Sequence, residues 1–230
     1  MLNINEVFSA IQGEGSTAGM PAVFIRLSGC NLTCDWCDSK YTWHKDHLEG
    51  ADRMTEQQLA MAIQFEQPEH NRIVWTGGEP VLQSESIYNY IQKYAKNIYN
   101  EIETNGTKSM SIDLAESLDV ITVSPKLKNS KILEPRRYIP PILKNYAHHS
   151  YTGKTFWKFV IKEPADVVEI KVDFEIALGI QPKKIYLMPE GITSADQIKA
   201  MPEIFELCQK YLYNFSPRLQ VLAYNDERKR

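Results

Sequence analysis

Ala22-Val23-Phe24-Ile25-Arg26-Leu27-Ser28-Gly29-Cys30-Asn31-Leu32-Thr33-Cys34-Asp35-Trp36-Cys37-Asp38-Ser39 sets an apolar run directly ahead of a loop with three cysteines in eight residues. The run, Ala22 to Leu27, reads as a β-strand. Thiolates are the usual ligands of iron–sulfur clusters. A four-iron cluster has four corners and this loop offers three sulfurs, so one iron is left open to a small chelating ligand. Disulfide pairing among the three would strand one of them. A zinc site completed by a histidine, with His44 and His47 nearby, stays open as an alternative. Structural zinc sites more often join two separated Cys-x2-Cys knuckles. Cys208, in Phe205-Glu206-Leu207-Cys208, reads as a buried core thiol of a helix.

Outward from this loop, apolar β-rich runs alternate with helical patterns, which predicts an α/β fold with a mostly parallel sheet. Thr55 to Gln64 reads as a helix, with Thr55 and Gln58 as a capping box. Arg72-Ile73-Val74-Trp75 reads as a strand ending at Gly77-Gly78. A helix follows with Ile87, Tyr90, Ile91, Tyr94 and Ile98 on one face. Further strands are expected at 101–103, 120–123, 155–161 and 184–187, and a last one at Leu219 to Ala223. Helices are expected between Ala165 and Leu178 and from Ser194 to Leu212, the latter capped by Ser194. That makes about six β/α units, fewer than the eight of a closed barrel. Polar and glycine-rich motifs fall after Leu27, Trp75, Glu103, Val123 and Leu187. Parallel α/β folds place ligands at the carboxyl ends of their strands, so these motifs point to one shared site. Lys126 to Gly153 reads as an irregular insertion.

The chain has 230 residues, 43% of them hydrophobic and 24% charged. That fits one soluble domain spanning 1–230 with a core large enough to need no disulfides. A net charge of −3 does not suggest a nucleic-acid surface. Arg228-Lys229-Arg230 reads as a frayed, solvated tail. The N-terminus lacks a basic start followed by an apolar run, and no apolar stretch approaches the ~20 residues that span a bilayer. A cytoplasmic protein with no membrane partner is therefore expected. Clustered cysteines in a reducing compartment favour metal over disulfides.

The Cys-x3-Cys-x2-Cys spacing, with Trp36 just before the last cysteine, resembles the signature of the radical S-adenosylmethionine superfamily. The resemblance implies a partial (β/α)6 barrel, open on one side, with a 4Fe-4S cluster on Cys30, Cys34 and Cys37. It implies S-adenosylmethionine on the fourth iron, cleaved by one electron to a 5′-deoxyadenosyl radical. Thr76-Gly77-Gly78-Glu79-Pro80 resembles the motif that receives the methionyl amino group. Glu103-Thr104-Asn105-Gly106 and Ser124-Pro125-Lys126 resemble further cofactor-binding strand ends. On this resemblance Trp36, Asp38, Gly77, Gly78, Glu79, Thr104, Asn105, Ser124 and Lys126 are the expected cofactor contacts.

Within the superfamily the chain is similar to the 7-carboxy-7-deazaguanine synthase family. The residues that carry this are Phe8 to Gly15 (FSAIQGEG), Cys37 to Trp43 (CDSKYTW), Ser124 to Ser130 (SPKLKNS) and Tyr186 to Gly191 (YLMPEG). The similarity implies a carbon–nitrogen lyase that contracts the ring of 6-carboxy-5,6,7,8-tetrahydropterin with loss of ammonia, in the biosynthesis of queuosine-type nucleosides. It also implies Mg2+, a flavodoxin- or ferredoxin-type reductase and a homodimer. Ser39 is the expected Mg2+ ligand. Ile11, Gln12, Gly13, Glu14, Gly15, Arg26, Thr76 and Gln220 are the expected substrate contacts. Arg26 suits a carboxylate, its planar fork being bidentate; an outward-facing arginine is its alternative. Gln12 and Glu14 can match the edge of a pterin, or simply form a turn. Relatives often carry Pro-Gln-Leu-His near the C-terminus, where this chain has Pro217-Arg218-Leu219-Gln220. A glycyl-radical activase and a zinc-stabilised binding module are the competing readings.

Overall fold

The computed structural model describes residues 1–44, 51–148 and 153–229. Among the described residues nine strands form one sheet in the order β3-β1-β2-β4-β5-β6-β7-β8-β9. These are β1 (Leu2–Ile11), β2 (Pro21–Leu27), β3 (Asp52–Met54), β4 (Arg72–Gly77), β5 (Tyr99–Thr104), β6 (Val120–Val123), β7 (Thr155–Ile161), β8 (Ile185–Pro189) and β9 (Asn214–Phe215). From β2 onward, leaving aside β3, every neighbouring pair is parallel. β1 lies antiparallel to both β2 and β3. The expected open parallel sheet is therefore present, extended at one edge by an antiparallel ribbon that the sequence does not foretell. β1 hides because polar Asn3, Asn5 and Glu6 interrupt its alternation. The register with β2 shifts between Ile4 and Glu6, which turns Glu6 inward to a buried position.

The helices are α1 (Glu56–Glu66), α2 (Ser84–Tyr90), α3 (Ile112–Ser117), α4 (Glu134–Arg137), α5 (Pro140–His148), α6 (Pro164–Glu169), α7 (Ser194–Tyr211) and α8 (Leu219–Tyr224). Both α2 and α6 run on into a π-helical turn, to Ala95 and Ile176. Thr55 and Gln58 form the anticipated capping box. Helix α7 is capped by Thr193, whose hydroxyl accepts from the Asp196 N–H, rather than by Ser194. The last strand is the two-residue β9, and Leu219 to Ala223 is helical instead. A five-residue, mostly apolar run carries too few turns for its period to decide between the two. The described residues of the 126–153 stretch include regular elements. They hold a 3-10 turn at Lys128–Ser130, then α4, then α5. Pro140 and Pro141 start α5, where a missing N–H costs nothing, and Leu143 and Tyr146 bury its inner face.

Alternation along β2 divides its side chains. Val23, Ile25 and Leu27 enter the main core beneath the helices. Ala22 and Phe24 pack on the other face with Phe8 and Val74, and Arg26 follows Phe24 on that face. A parallel register aligns Leu27 with Gly77, Thr104 with Val123 and Ile161 with Pro189. The motif-bearing carboxyl ends therefore gather along one rim.

The two glycines at the end of β4 set how closely this rim packs. Gly77 has φ +118, and a Cβ there would fall 2.3 Å from the Leu27 carbonyl oxygen. A Cβ on Gly78 would fall 1.9 Å from the Gly29 oxygen. The motif suggests glycines reserved for a ligand's approach; here they admit the neighbouring backbone. The Gly78 N–H donates to the Leu27 carbonyl at 3.0 Å, and the Glu79 N–H to the Gly29 carbonyl at 2.8 Å. Gly78→Ala is expected to destabilise the fold by about 1–3 kcal/mol through this overpacking. Thermal unfolding and the iron content of the reconstituted protein check this, since the displaced backbone is the base of the cysteine loop. An unchanged melting temperature with full iron content would contradict it.

Candidate functional site

Directly above that glycine contact, the cysteine loop is fastened on several sides. The Gly29 N–H reaches the Thr42 carbonyl at 2.7 Å and the Asp35 N–H the Ser130 carbonyl at 3.1 Å. Asn31 Nδ2 donates to Thr107 Oγ1 at 2.8 Å, and Trp36 Nε1 to Asn129 Oδ1 at 3.1 Å. Cys30, Cys34 and Cys37 are free thiols. They pack in one group with Leu32 and Ile132 and line one cavity of about 260 Å³. The Leu32 N–H points at Cys30 Sγ (3.5 Å), and Trp43 Nε1 at Cys37 Sγ (3.4 Å). Burial pushes the Cys30 thiol up to about 11 and raises Cys34. Burial thus disfavours an uncompensated thiolate at these sulfurs. N–H groups aimed at sulfur tune an iron–sulfur cluster. Three thiols at one opening, two of them already met by N–H donors, fit a cluster held by three corners. Of the two histidines near the loop, His47 lies outside the described residues.

Most of the anticipated cofactor contacts line the same cavity: Trp36, Asp38, Gly77, Gly78, Thr104, Asn105, Ser124 and Lys126. Lys126 Nζ donates to Ser124 Oγ at 3.1 Å and sits 5.3 Å from the Trp36 ring centre. Glu79 does not reach the cavity. Its buried carboxylate lies beneath the rim and accepts from the Val81 N–H (3.0 Å), Thr104 Oγ1 (2.8 Å) and the Asn105 N–H (2.7 Å). Burial raises its pKa against those hydrogen bonds.

The anticipated substrate residues Ile11, Gln12, Gly13, Glu14, Arg26, Thr76 and Gln220 also line the cavity, as does Ser39. Gly15 is turned away, its N–H donating to Ser216 Oγ at 2.8 Å. A Cβ on Gly13 would meet Gln220 Oε1 at 1.6 Å, so this glycine makes room for Gln220. Arg26 faces the cavity, and its Nε donates to Glu6 Oε2 at 3.1 Å.

Between these groups runs a buried charge network that the sequence only partly foretells. Glu14 accepts from Lys158 Nζ at 2.5 Å, Arg218 Nε at 3.1 Å and Gln220 Nε2 at 2.7 Å. Burial would raise the Glu14 carboxyl, but Lys158 and Arg218 outweigh it and hold the group well below the usual range. Lys158 also meets Glu103 at 3.4 Å, and Thr76 Oγ1 donates to Glu103 Oε2 at 2.8 Å. Gln12 Nε2 spans Glu101 and Glu103 at 3.4 and 3.3 Å, which turns its Oε1 toward the Glu14 N–H. Lys158 and Arg218 are site residues that the sequence motifs miss, while Glu103 lies in a quoted motif but enters the site through Lys158 and Thr76. The readable signal is a lone charge inside an apolar strand, as in Thr155-Phe156-Trp157-Lys158-Phe159-Val160-Ile161.

The tail also departs from expectation. Arg228 is not frayed: its NH2 reaches buried Glu6 at 2.6 Å and its guanidinium lies 3.9 Å over the Tyr41 ring. Asn225 to Lys229 form part of the cavity wall. Cys208 is buried in α7 as expected.

Glu101 sits under this network, accepting from Thr17 Oγ1 at 2.7 Å. Burial, with Glu103 nearby, lifts its carboxyl to about 7 against the Thr17 bond. The folded state thus holds this proton more tightly than the unfolded chain, so the associated stability is present at low pH and lost as pH rises through about 7. Glu101→Gln is expected to lose less stability than the parent between about pH 5 and about pH 8. Melting temperatures of both proteins across that range check it, and parallel curves would contradict it.

Residues 11–137 match a family described as a 4Fe-4S single cluster domain. The 7-carboxy-7-deazaguanine synthase of Pyrobaculum aerophilum is 30% identical over 228 residues, covering 99% of this chain and 96% of that protein. That of Halobacterium salinarum is 34% identical over 245 residues, covering 98% and 91%. The crystal structure of QueE from Escherichia coli superposes with a TM-score of 0.67 at 25% identity, covering 94% of this chain and 92% of that one. Streptococcus suis SuiB bound to S-adenosylmethionine shares the fold, with a TM-score of 0.51 at 16% identity over 81% of this chain and 44% of that one. With relatives matched end to end and three thiols at one cavity, the chain belongs to the 7-carboxy-7-deazaguanine synthase family.

Proposed function

We infer that this protein is a radical S-adenosylmethionine lyase that converts 6-carboxy-5,6,7,8-tetrahydropterin to 7-carboxy-7-deazaguanine and ammonia. The observation that carries this is the single cavity. It joins three cysteines at one end to an ionised, doubly paired Glu14 at the other. Subtracting ammonia from the substrate gives the product's composition. The net reaction therefore needs no external oxidant, and S-adenosylmethionine can be regenerated each turnover. The full-length relatives favour this reading over a glycyl-radical activase or a zinc module.

Cys30, Cys34 and Cys37 would hold the 4Fe-4S cluster, and the cluster with S-adenosylmethionine supplies the radical chemistry. Gly77, Gly78, Thr104, Asn105, Ser124 and Lys126 would receive S-adenosylmethionine, with Trp36 under Lys126 as a wall. Glu79 would act from below by fixing Thr104 and the Asn105 backbone. Glu14 remains an anion at working pH, so it accepts from N–H groups on the pyrimidine edge of a pterin. Gln220, whose Nε2 donates to Glu14 Oε1 at 2.7 Å, would hold that carboxylate at the pterin edge. Ile11, Gln12, Gly13 and Thr76 would complete the pterin wall, and Gly15 would shape the turn behind it. Arg26, on the cavity face, would take the substrate carboxylate. Mg2+ fits at Ser39, whose hydroxyl oxygen is a hard donor at the cavity wall. Asp38 is already engaged by Arg218.

A sheet curved into a partial (β/α)6 barrel, a single domain over 1–230, a flavodoxin- or ferredoxin-type donor, a cytoplasmic setting and a homodimer complete the proposal, resting on the family resemblance. Among the described residues no helix is long and apolar enough to cross a membrane.

Anaerobic reconstitution followed by incubation with S-adenosylmethionine, Mg2+, a reductant and the carboxy-tetrahydropterin is expected to yield the deazaguanine acid and ammonia. Cys34→Ala is expected to lose bound iron, sulfide and product together. A protein fully loaded with cluster that forms no product would overturn the assignment.

A further inference from the structure

Arg218 occupies a position that touches three separate segments of the rim. Its Nε donates to Glu14 Oε1 at 3.1 Å, its NH1 to the Gly191 carbonyl at 2.6 Å, and its NH2 to Asp38 Oδ2. Glu14 follows β1, Asp38 follows the last cluster cysteine, and Gly191 follows β8. The side chain is only 8% exposed. Its backbone is anchored too, because the Leu219 N–H donates to the Gly13 carbonyl at 3.0 Å. A lysine could not reproduce this, since three acceptors in three directions need the planar fork of a guanidinium.

We propose that Arg218 is a positioning residue that couples the cysteine loop to the substrate-facing carboxylate. It draws Asp38 and Glu14 to one guanidinium, so the Cys37-Asp38-Ser39 corner and the Glu14 end of the cavity hold a fixed spacing. The proposal rests on the pterin reading of the site. Asp38 then serves to hold Arg218, and through it the carboxylate that meets the pterin. Asp38 was expected among the S-adenosylmethionine contacts; the geometry assigns its carboxylate to Arg218. A buried carboxylate that loses one of its two cationic partners loses part of its set direction: Gln220 still donates to Glu14 Oε1, but the remaining cation, Lys158, is shared with Glu103.

The test is a double-mutant cycle on the cluster-loaded enzyme. The variants are Asp38→Ala, Arg218→Gln and the pair together. Anaerobic calorimetry measures the dissociation constant of 6-carboxy-5,6,7,8-tetrahydropterin with S-adenosylmethionine present and no reductant. Steady-state assays give KM and kcat. Asp38→Ala is expected to weaken pterin binding by about tenfold in the parent and by less than about twofold once Arg218 is Gln. KM is expected to rise more than kcat falls. A purely structural role would lower the melting temperature and leave the two substitutions additive in pterin affinity. Additive effects, or an unchanged dissociation constant in Arg218→Gln, would overturn the proposal. If Arg218→Gln does not fold, the same cycle is run with Arg218→Lys, which keeps charge but cannot span the three acceptors. A parent enzyme that turns over the pterin while the cycle is additive defeats only the Arg218 role. A loaded parent that neither binds nor converts the pterin defeats the function and this inference together.

Discussion

The contact between Gly78 and the Gly29 carbonyl fixes where everything reactive can stand. Parallel strands bring their carboxyl ends to one rim, but a side chain at the end of β4 would keep the next loop away. With no Cβ at Gly77 or Gly78, the backbone of Leu27 and Gly29 closes onto β4 through two hydrogen bonds. The cysteines follow one residue later. The depth of the thiols relative to the rest of the rim is thus set by main-chain packing, which has little freedom to drift. Glu79 extends the same contact sideways by holding Thr104 and Asn105.

Opposite the thiols, the rim is built from charge. Glu14, Glu101, Glu103, Lys158 and Arg218 are mostly withdrawn from water, where unpaired ions are costly. Each is met by a partner, and the pairings differ in consequence. Glu14 is flanked by two cations and stays ionised, whereas burial dominates at Glu101, which holds its proton to about 7. Two carboxyl groups of one network are thereby driven to opposite states, one by its cationic partners and the other by burial. The cavity between thiols and carboxylate is polar at one end and bounded by the stacked rings of Phe8 and Phe24 on a side wall. This suits a flat, polar heterocycle.

What could be read from the sequence follows the range of the interactions. Cys30, Cys34 and Cys37 are close in the chain, and strand-end motifs such as Ser124-Pro125-Lys126 carry their signal locally. The capping box at Thr55 and the strands at 120–123 and 155–161 are local in the same sense. Strand β1 was not legible, because its pairing with β2 depends on a bulge that buries a glutamate. The helix at 219–224 passes for a strand because six residues hold less than two helical turns. Arg218 and Arg228 were invisible as site residues, since their partners Glu14, Asp38 and Glu6 lie some two hundred positions away. An arginine near the C-terminus looks solvated until the fold supplies a buried carboxylate.

Three thiolates that hold a cluster leave its fourth iron to accept S-adenosylmethionine. The most direct measurement is the electron paramagnetic resonance spectrum of the reduced, reconstituted protein before and after S-adenosylmethionine is added. The expected result is a reduced 4Fe-4S signal whose g values shift on addition, as the open iron gains ligands. An unchanged spectrum, or a protein that carries zinc in place of iron and sulfide, would contradict it.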